Sequence, residues 1–359
     1  MKRNLLTLLA AFALVFVCAP FADAQKKYIY PTKEEGWSKA KPDKYGYTKE
    51  AFDDITKFIT DSTHATGVMV VVGGEQIYSF GALDRLSYIA SCRKSVLAML
   101  YGKYVENGTI NLSKSMADLG IDDVEGLTAQ EKEATVYDLI TSRSGVYHPA
   151  SNDGDSKDKP QRGEKKHGEC FIYNNWDFNA AGAVFEQLTG KNIYDAFGED
   201  IALPIGMQDW DRAAQKKGGN LKISRFPAYH FYFSVRDMAR IGYLMLRDGR
   251  WNGRQVISRD WHDRIVSVVT PWEEMDGKTN MPRFEYGYMW WLFAPQSPLY
   301  KPEYKGAYTA RGYMGQFITV IPELDMVVAF KTDAIYKRSS KTSAYFRLLD
   351  KIVDAHVGE

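Results

Sequence analysis

The stretch that most constrains this fold is Ser95-Val96-Leu97-Ala98-Met99-Leu100-Tyr101, an apolar run opened by Ser91-Cys92-Arg93-Lys94. A helix that is apolar on every side belongs in the centre of a domain rather than on its surface. Asn107-Gly108 marks its end, so the first turn is held rigidly at the edge of a core. Ser91 and Lys94 are three residues apart, which puts them on one helical face with Cβ atoms about 5–6 Å from each other. The unpaired N–H groups and positive dipole of the helix start lie beside Ser91.

That pairing suits one chemistry. An amine within reach of a hydroxyl can take its proton and make serine a nucleophile, as acyl transfer requires. The competing reading is structural: serine is a common N-cap, and Lys94 is then a solvated first-turn residue. Ser-x-x-Lys also occurs at Ser38/Lys41 and Ser156/Lys159, in polar stretches rich in Lys, Pro, Asp and Gly that read as solvated loop. Of the three, the middle copy alone heads a buried helix.

The 359 residues, 45% of them hydrophobic, suffice for one large or two small domains. Lys2 and Arg3, the apolar run Leu5 to Val17, and Ala22-Asp23-Ala24 read as a signal peptide covering residues 1–24. The expected localisation is therefore exported, periplasmic or secreted. The apolar run is too short to span a bilayer, and lipid attachment at Cys18 would follow Val17 where a small residue is usual. Loss of Lys2, Arg3 and Asp23 leaves 44 basic and 44 acidic residues of the 46 and 45 in the full chain. This balance argues against nucleic acid or an anionic membrane as the main partner. Six scattered histidines, with no His-Glu-x-x-His and no Cys-x-x-Cys, give no reason to expect a metal or another cofactor. Oligomeric state is left open.

Along the chain, residues 25–47 are rich in Lys and Pro and read as an extended leader. Phe52, Ile55 and Ile59 form a helical stripe. Val68 to Val72, Gly73-Gly74 and Gln76 to Phe80 spell a tight antiparallel hairpin, its first strand apolar on both faces. Val136 to Thr141 is a short helix, residues 151–168 a long polar loop, and Asp177 to Leu188 a helix ended by Gly190. Ser234-Val235-Arg236-Asp237 caps a helix that runs to Asp248-Gly249. Tyr286 to Phe293 reads as one aromatic strand. Gln316 to Val320 and Met326 to Lys331 are strands joined through Pro322-Glu323, and Phe346, Leu349 and Val353 mark a last helix. The pattern predicts an α+β fold: a discontinuous α/β domain from residues 48–109 and 231–359, with a mostly helical domain, residues 110–230, inserted.

A Ser/Lys pair needs a third group to move a proton to the leaving group, and donors for the oxyanion. Tyr173-Asn174-Asn175 offers a phenol that a neighbouring ammonium would make more acidic, and an amide able to accept from Lys94 and donate to a substrate carbonyl. A turn asparagine beside a half-buried tyrosine is the plain structural alternative. In Arg311-Gly312-Tyr313-Met314-Gly315-Gln316 the glycines admit a substrate backbone and free the Gln316 N–H, unless they serve merely as an edge-strand kink.

Together these motifs resemble the serine β-lactamase and penicillin-binding-protein superfamily, in the branch of class C β-lactamases, D-aminopeptidases, esterases and 6-aminohexanoate-dimer hydrolase. The family's Ser-x-x-Lys, Tyr-x-Asn and Lys/His-x-Gly match Ser91/Lys94, Tyr173/Asn175 and Tyr313-Met314-Gly315 in the same order. Leu139 to Gly145, Leu203 to Met207 and Ser234 to Asp237 extend the likeness over nearly all the chain after the leader. The resemblance implies an antiparallel sheet of about five strands flanked by helices, a second helical domain and a cleft between them. It implies Ser91, Lys94 and Tyr173 as catalytic, and Asn175, Tyr313, Gly315 and Gln316 as substrate or oxyanion residues, with the N–H groups of Ser91 and Gln316 as the oxyanion hole.

One departure bears on the substrate. Tyr313 stands where the family usually has a Lys or His that helps hold a carboxylate, so neither a β-lactam nor a D-Ala-D-Ala end is the default. The expectation is an exported serine hydrolase that cleaves a small or peptide-like amide or ester through a Ser91 acyl-enzyme. The alternatives are a β-lactamase or D-Ala-D-Ala peptidase, and a non-catalytic cell-wall or partner-binding relative. Cys92 and Cys170 flank Ser91 and Tyr173 closely enough to raise the question of a disulfide.

Overall fold

The computed structural model describes residues 28–152, 159–275 and 282–357. The signal-peptide reading, Cys18 and Ser156 therefore lie outside the described residues. Helix α1 (Lys49–Ser62) is capped by the Thr48 hydroxyl and buries Phe52, Ile55 and Ile59. Strands β1 (Gly67–Val72) and β2 (Glu75–Gly81) form the hairpin, and helix α2 (Cys92–Glu106) follows. The middle of the chain supplies α3 (Val136–Ile140), α4 (Asn175–Thr189) and α5 (Ile193–Phe197). Then come α6 (Val235–Leu246), whose cap is the Ser234 hydroxyl, and α7 (Arg259–Ile265). Strands β3 (Phe284–Tyr286), β4 (Trp291–Phe293), β5 (Tyr308–Gly312), β6 (Gln316–Ile321) and β7 (Met326–Lys331) precede α8 (Thr342–Asp354).

The seven strands make one sheet in the order β2-β1-β7-β6-β5-β4-β3, antiparallel throughout. The expected five strands become seven for two reasons. Tyr286 to Phe293 is not one strand but a hairpin, because the chain turns at Gly287 to Trp290 with Met289 at φ 57°. Residues 308–312 also add β5, which pairs with both β4 and β6.

Alternation along β1 shows why every residue of it is apolar. Met69 and Val71 enter one core with α2 and α6, whereas Val68, Val70 and Val72 enter another with α1 and α8. The result is three layers: α1 and α8, the sheet, and the remaining helices. Helix α2 is buried nearly all round, from Cys92 to Gly102 and at Tyr104. Trp261 Nε1 donates to Ala98 O at 2.8 Å, and Ser95 Oγ donates to Met289 O at 2.6 Å, pinning the helix along its length. The leader packs rather than trails. Trp37 is buried and donates to Arg236 O, and Arg240 donates to the carbonyls of Pro31 and Thr32. Among the described residues no helix is long and apolar enough to cross a membrane.

Candidate active site

Ser91 stands immediately before α2 with right-handed backbone angles and makes no side-chain cap hydrogen bond, so the N-cap reading fails. Ala90 before it adopts φ 49°, a left-handed conformation that costs a residue with a Cβ free energy and clusters at functional sites. This bend turns Ser91 toward a cavity of about 580 Å³. Lys94, 1% exposed, lies one turn on. Its Nζ donates to Tyr173 Oη at 2.7 Å and to Asn175 Oδ1 at 2.6 Å. The same nitrogen sits 4.0 Å from the Tyr173 ring centroid and 4.3 Å from that of Phe178. Tyr173 and Asn175 arrive together because Asn174, the N-cap residue of α4 but without a side-chain cap bond, is tied down, its Nδ2 donating to Val146 O and to Asp177 Oδ1.

Tyr173 also hydrogen-bonds Ser91. Burial dominates its acidity and pushes the phenol up to about 12, although the Ser91 contact and the charges of Arg93 and Arg311 pull the other way. The expected easing of proton loss by a nearby cation is thus outweighed by desolvation. At neutral pH Tyr173 is therefore a phenol rather than a phenolate.

The third motif is placed differently from expectation. Tyr313 is 75% exposed at the cavity rim, and Arg311 and Gly312 line the wall with Trp291, Phe317 and Thr342. Gly315 and Gln316 do not line it. Residues 313–315 form the turn from β5 to β6, and Gln316 pairs with Gly312 at the start of β6. Gln316 is wholly buried; its carbonyl accepts from Cys92 Sγ at 3.5 Å and its Nε2 donates to Thr332 O. The close approach is at Gly312 instead, where a Cβ would stand 2.5 Å from Ile89 O and 3.1 Å from Ala90 Cβ.

Besides the apolar wall and Thr342, three polar residues escaped the sequence reading of the site. Tyr88, on a two-residue strand paired with Tyr232, and Asn152, in a loop, line the cavity without belonging to a motif. Arg93 lines it although it lies within the Ser91-Lys94 motif, where a charged residue reads as solvent-facing. Asn152 comes from the long polar loop, of which residues 153–158 lie outside the described residues. Cys92 and Cys170 are free. Cys92 points into the sheet at Gln316, while Cys170 Sγ lies beside Tyr147 Oη at 3.4 Å, so the two sulfurs face different neighbours.

The beta-lactamase family pattern matches residues 52–349. This chain belongs to the beta-lactamase family. A Bacillus anthracis structure assigned as a 6-aminohexanoate-dimer hydrolase superposes on this family member with a TM-score of 0.66 at 19% identity, over 92% of this chain and 90% of that one. A class C beta-lactamase superposes with a TM-score of 0.64 at 15% identity, over 87% and 97%. At such identities the likeness is one of fold. An uncharacterised protein of Alkalihalophilus pseudofirmus is 25% identical over 154 residues, 40% of this chain. The match spans 41% of that relative's length.

Proposed function

We propose that this beta-lactamase-family protein is a serine hydrolase that cleaves an amide or ester through an acyl-enzyme on Ser91. The observation that carries the reading is the buried Lys94 Nζ, in hydrogen-bond contact with both Tyr173 and Asn175 on the face that Ser91 shares. Lys94, as the neutral amine, takes the Ser91 proton through the Tyr173 hydroxyl, and Ser91 Oγ bonds to the substrate carbonyl carbon. The bond from that carbon to the leaving nitrogen or oxygen breaks, and Tyr173 returns the proton to the leaving group. Water then adds to the acyl ester by the same relay, releasing the acid and restoring Ser91. Lys94 and Tyr173 act as one coupled pair. For the oxyanion, the close approach at Gly312 favours a backbone N–H of the β5 end, with that of Ser91, over the Gln316 N–H.

We assign the site to an exported protein after loss of residues 1–24, on the signal-peptide pattern alone. A fluorophosphonate probe followed by intact-mass measurement tests the nucleophile: one adduct is expected on the wild type and none on Ser91→Ala. Labelling that persists in Ser91→Ala removes Ser91 from the role, and absence of both labelling and p-nitrophenyl ester hydrolysis leaves a binding protein. Stoichiometric acylation by a fluorescent penicillin would move the substrate to β-lactams.

A further inference from the structure

Arg93 is 2% exposed, yet among the described residues no carboxylate pairs with it. Its Nη2 donates to the neutral amide of Asn179 at 2.7 Å, and its guanidinium covers the Tyr229 ring at 4.3 Å from the centroid. Its Nη1 is buried without any hydrogen bond. A guanidinium is always charged, and burying it unpaired is strongly unfavourable unless something compensates.

The surroundings repeat the deficit. Tyr194 Oη and His230 Nδ1 are also buried without a hydrogen-bond partner, and Tyr229 has none but the Arg93 guanidinium itself. The field of Arg93 reaches all three of these side chains and the cavity residues Tyr88 and Tyr173. The neighbouring amide of Asn152, which receives a hydrogen bond from Asn179 Nδ2 at 2.8 Å, lines the cavity as Arg93 does. Guanidinium and phenol groups can all donate. The acceptors the cluster does hold, the Asn179 amide and the phenol oxygens, are neutral; what it lacks is a negative one that would satisfy the charge as well.

We propose that Arg93 is a specificity residue that takes a carboxylate of the substrate while the scissile carbonyl lies at Ser91. The inference rests on the hydrolase reading and names the substrate class that reading left open: an amide or ester whose acyl or leaving part bears a carboxylate. It reaches this from a side of the cavity other than Tyr313, where the usual cation is missing. Arg311 lines the same cavity, but packs its guanidinium 4.8 Å from the Trp291 centroid.

Two comparisons on the wild type test it: p-nitrophenyl glutarate hemiester against p-nitrophenyl butyrate, and 3-acetoxybenzoate against phenyl acetate. At least one carboxylate-bearing member is expected to be preferred about tenfold or more in kcat/KM, chiefly through KM, the scale of one charge-assisted hydrogen bond. Arg93→Met is expected to bring the members of the preferred pair to within about twofold of one another, and Arg93→Lys to keep part of the preference. Equal rates within both pairs in the wild type overturn the proposal and leave the hydrolase intact. A preference that survives Arg93→Met but disappears in Arg311→Met transfers the role and overturns it too. Should no ester turn over, glutarate against glutaramide in a thermal-shift assay decides: stabilisation by the dianion alone, lost in Arg93→Lys or Arg93→Met, supports the subsite without the hydrolase. No difference between the two additives removes both.

Discussion

Gly312→Ala puts the geometry of the site wall to a direct test. The added Cβ would stand 2.5 Å from the Ile89 carbonyl oxygen and 2.9 Å from Gln316 Cβ. Neither neighbour is the end of a flexible side chain: Ile89 O is backbone two residues before Ser91, and Gln316 is wholly buried. To restore an ordinary contact of 3.4 Å, β5 and the Ile89–Ser91 segment must part by about 0.9 Å. Overpacking of this kind costs about 1–3 kcal/mol. For a chain of this size that lowers the melting temperature by a few degrees, about 2–4 °C per kcal/mol, so the protein stays folded at assay temperature. The rate suffers far more, because a misplacement of about 1 Å can lower catalysis about 100-fold. The assay is the second-order rate of fluorophosphonate labelling beside p-nitrophenyl ester kcat/KM, with the melting curve as the fold control. A Gly312→Ala protein that melts a few degrees lower and labels at the wild-type rate would refute the placement of β5 against the Ser91 turn.

Further tests follow from the same geometry. Tyr173→Phe removes the hydroxyl bridging Ser91 and Lys94 but leaves Asn175 Oδ1 on Lys94; kcat should fall about 10²–10⁴-fold, with the melting temperature changed by a few degrees at most. Thiol titration of protein lacking residues 1–24 should count two thiols in denaturant without reductant, and at most Cys170 in the native state, because burial blocks Cys92 and pushes its pKa up. His230 is held down to about 4 by burial, with the charges of Arg93 and Lys216 adding to it; its edge also meets the Tyr88 ring. Its folded pKa lies below the unfolded value of about 6.5, so the unfolded chain binds more protons between them and stability falls as pH drops through that window. The expected loss from this group is about 2 kcal/mol between pH 7 and pH 5. His230→Gln should flatten the pH dependence of the melting temperature there, and an unchanged slope would exclude His230 as its source.

Where local patterns decide, sequence and structure agree. The hairpin at Gly73-Gly74, the cap at Ser234 and the all-round apolar helix behind Ser91 are each set by residues within one element. Tyr173 and Asn175 were legible because a proton relay restricts which side chains can serve. The register of the third motif was not. Its glycines fit either a strand or a turn, and the choice depends on β4 and β6 lying on both sides of β5. Arg93 was illegible for a similar reason: its neighbours Asn179 and Tyr229 lie far along the chain, and only their packing buries it.

The order of the sheet has a consequence for how the chain folds. Strand β7, near the centre, is the last to be made, and it alone joins the β1–β2 hairpin to the ribbon of β3 to β6. Until residues 326–331 arrive, both pieces present an open edge, Gly67–Val72 on one side and Gln316–Ile321 on the other. Contacts this distant in sequence make for slow folding, and unpaired edges invite association with other chains. The Ser91 turn rests against Gly312, on the far ribbon. Ser91 and Lys94, in the first third of the sequence, are therefore held against the Gly312 wall only after residues 326–331 have joined the two pieces.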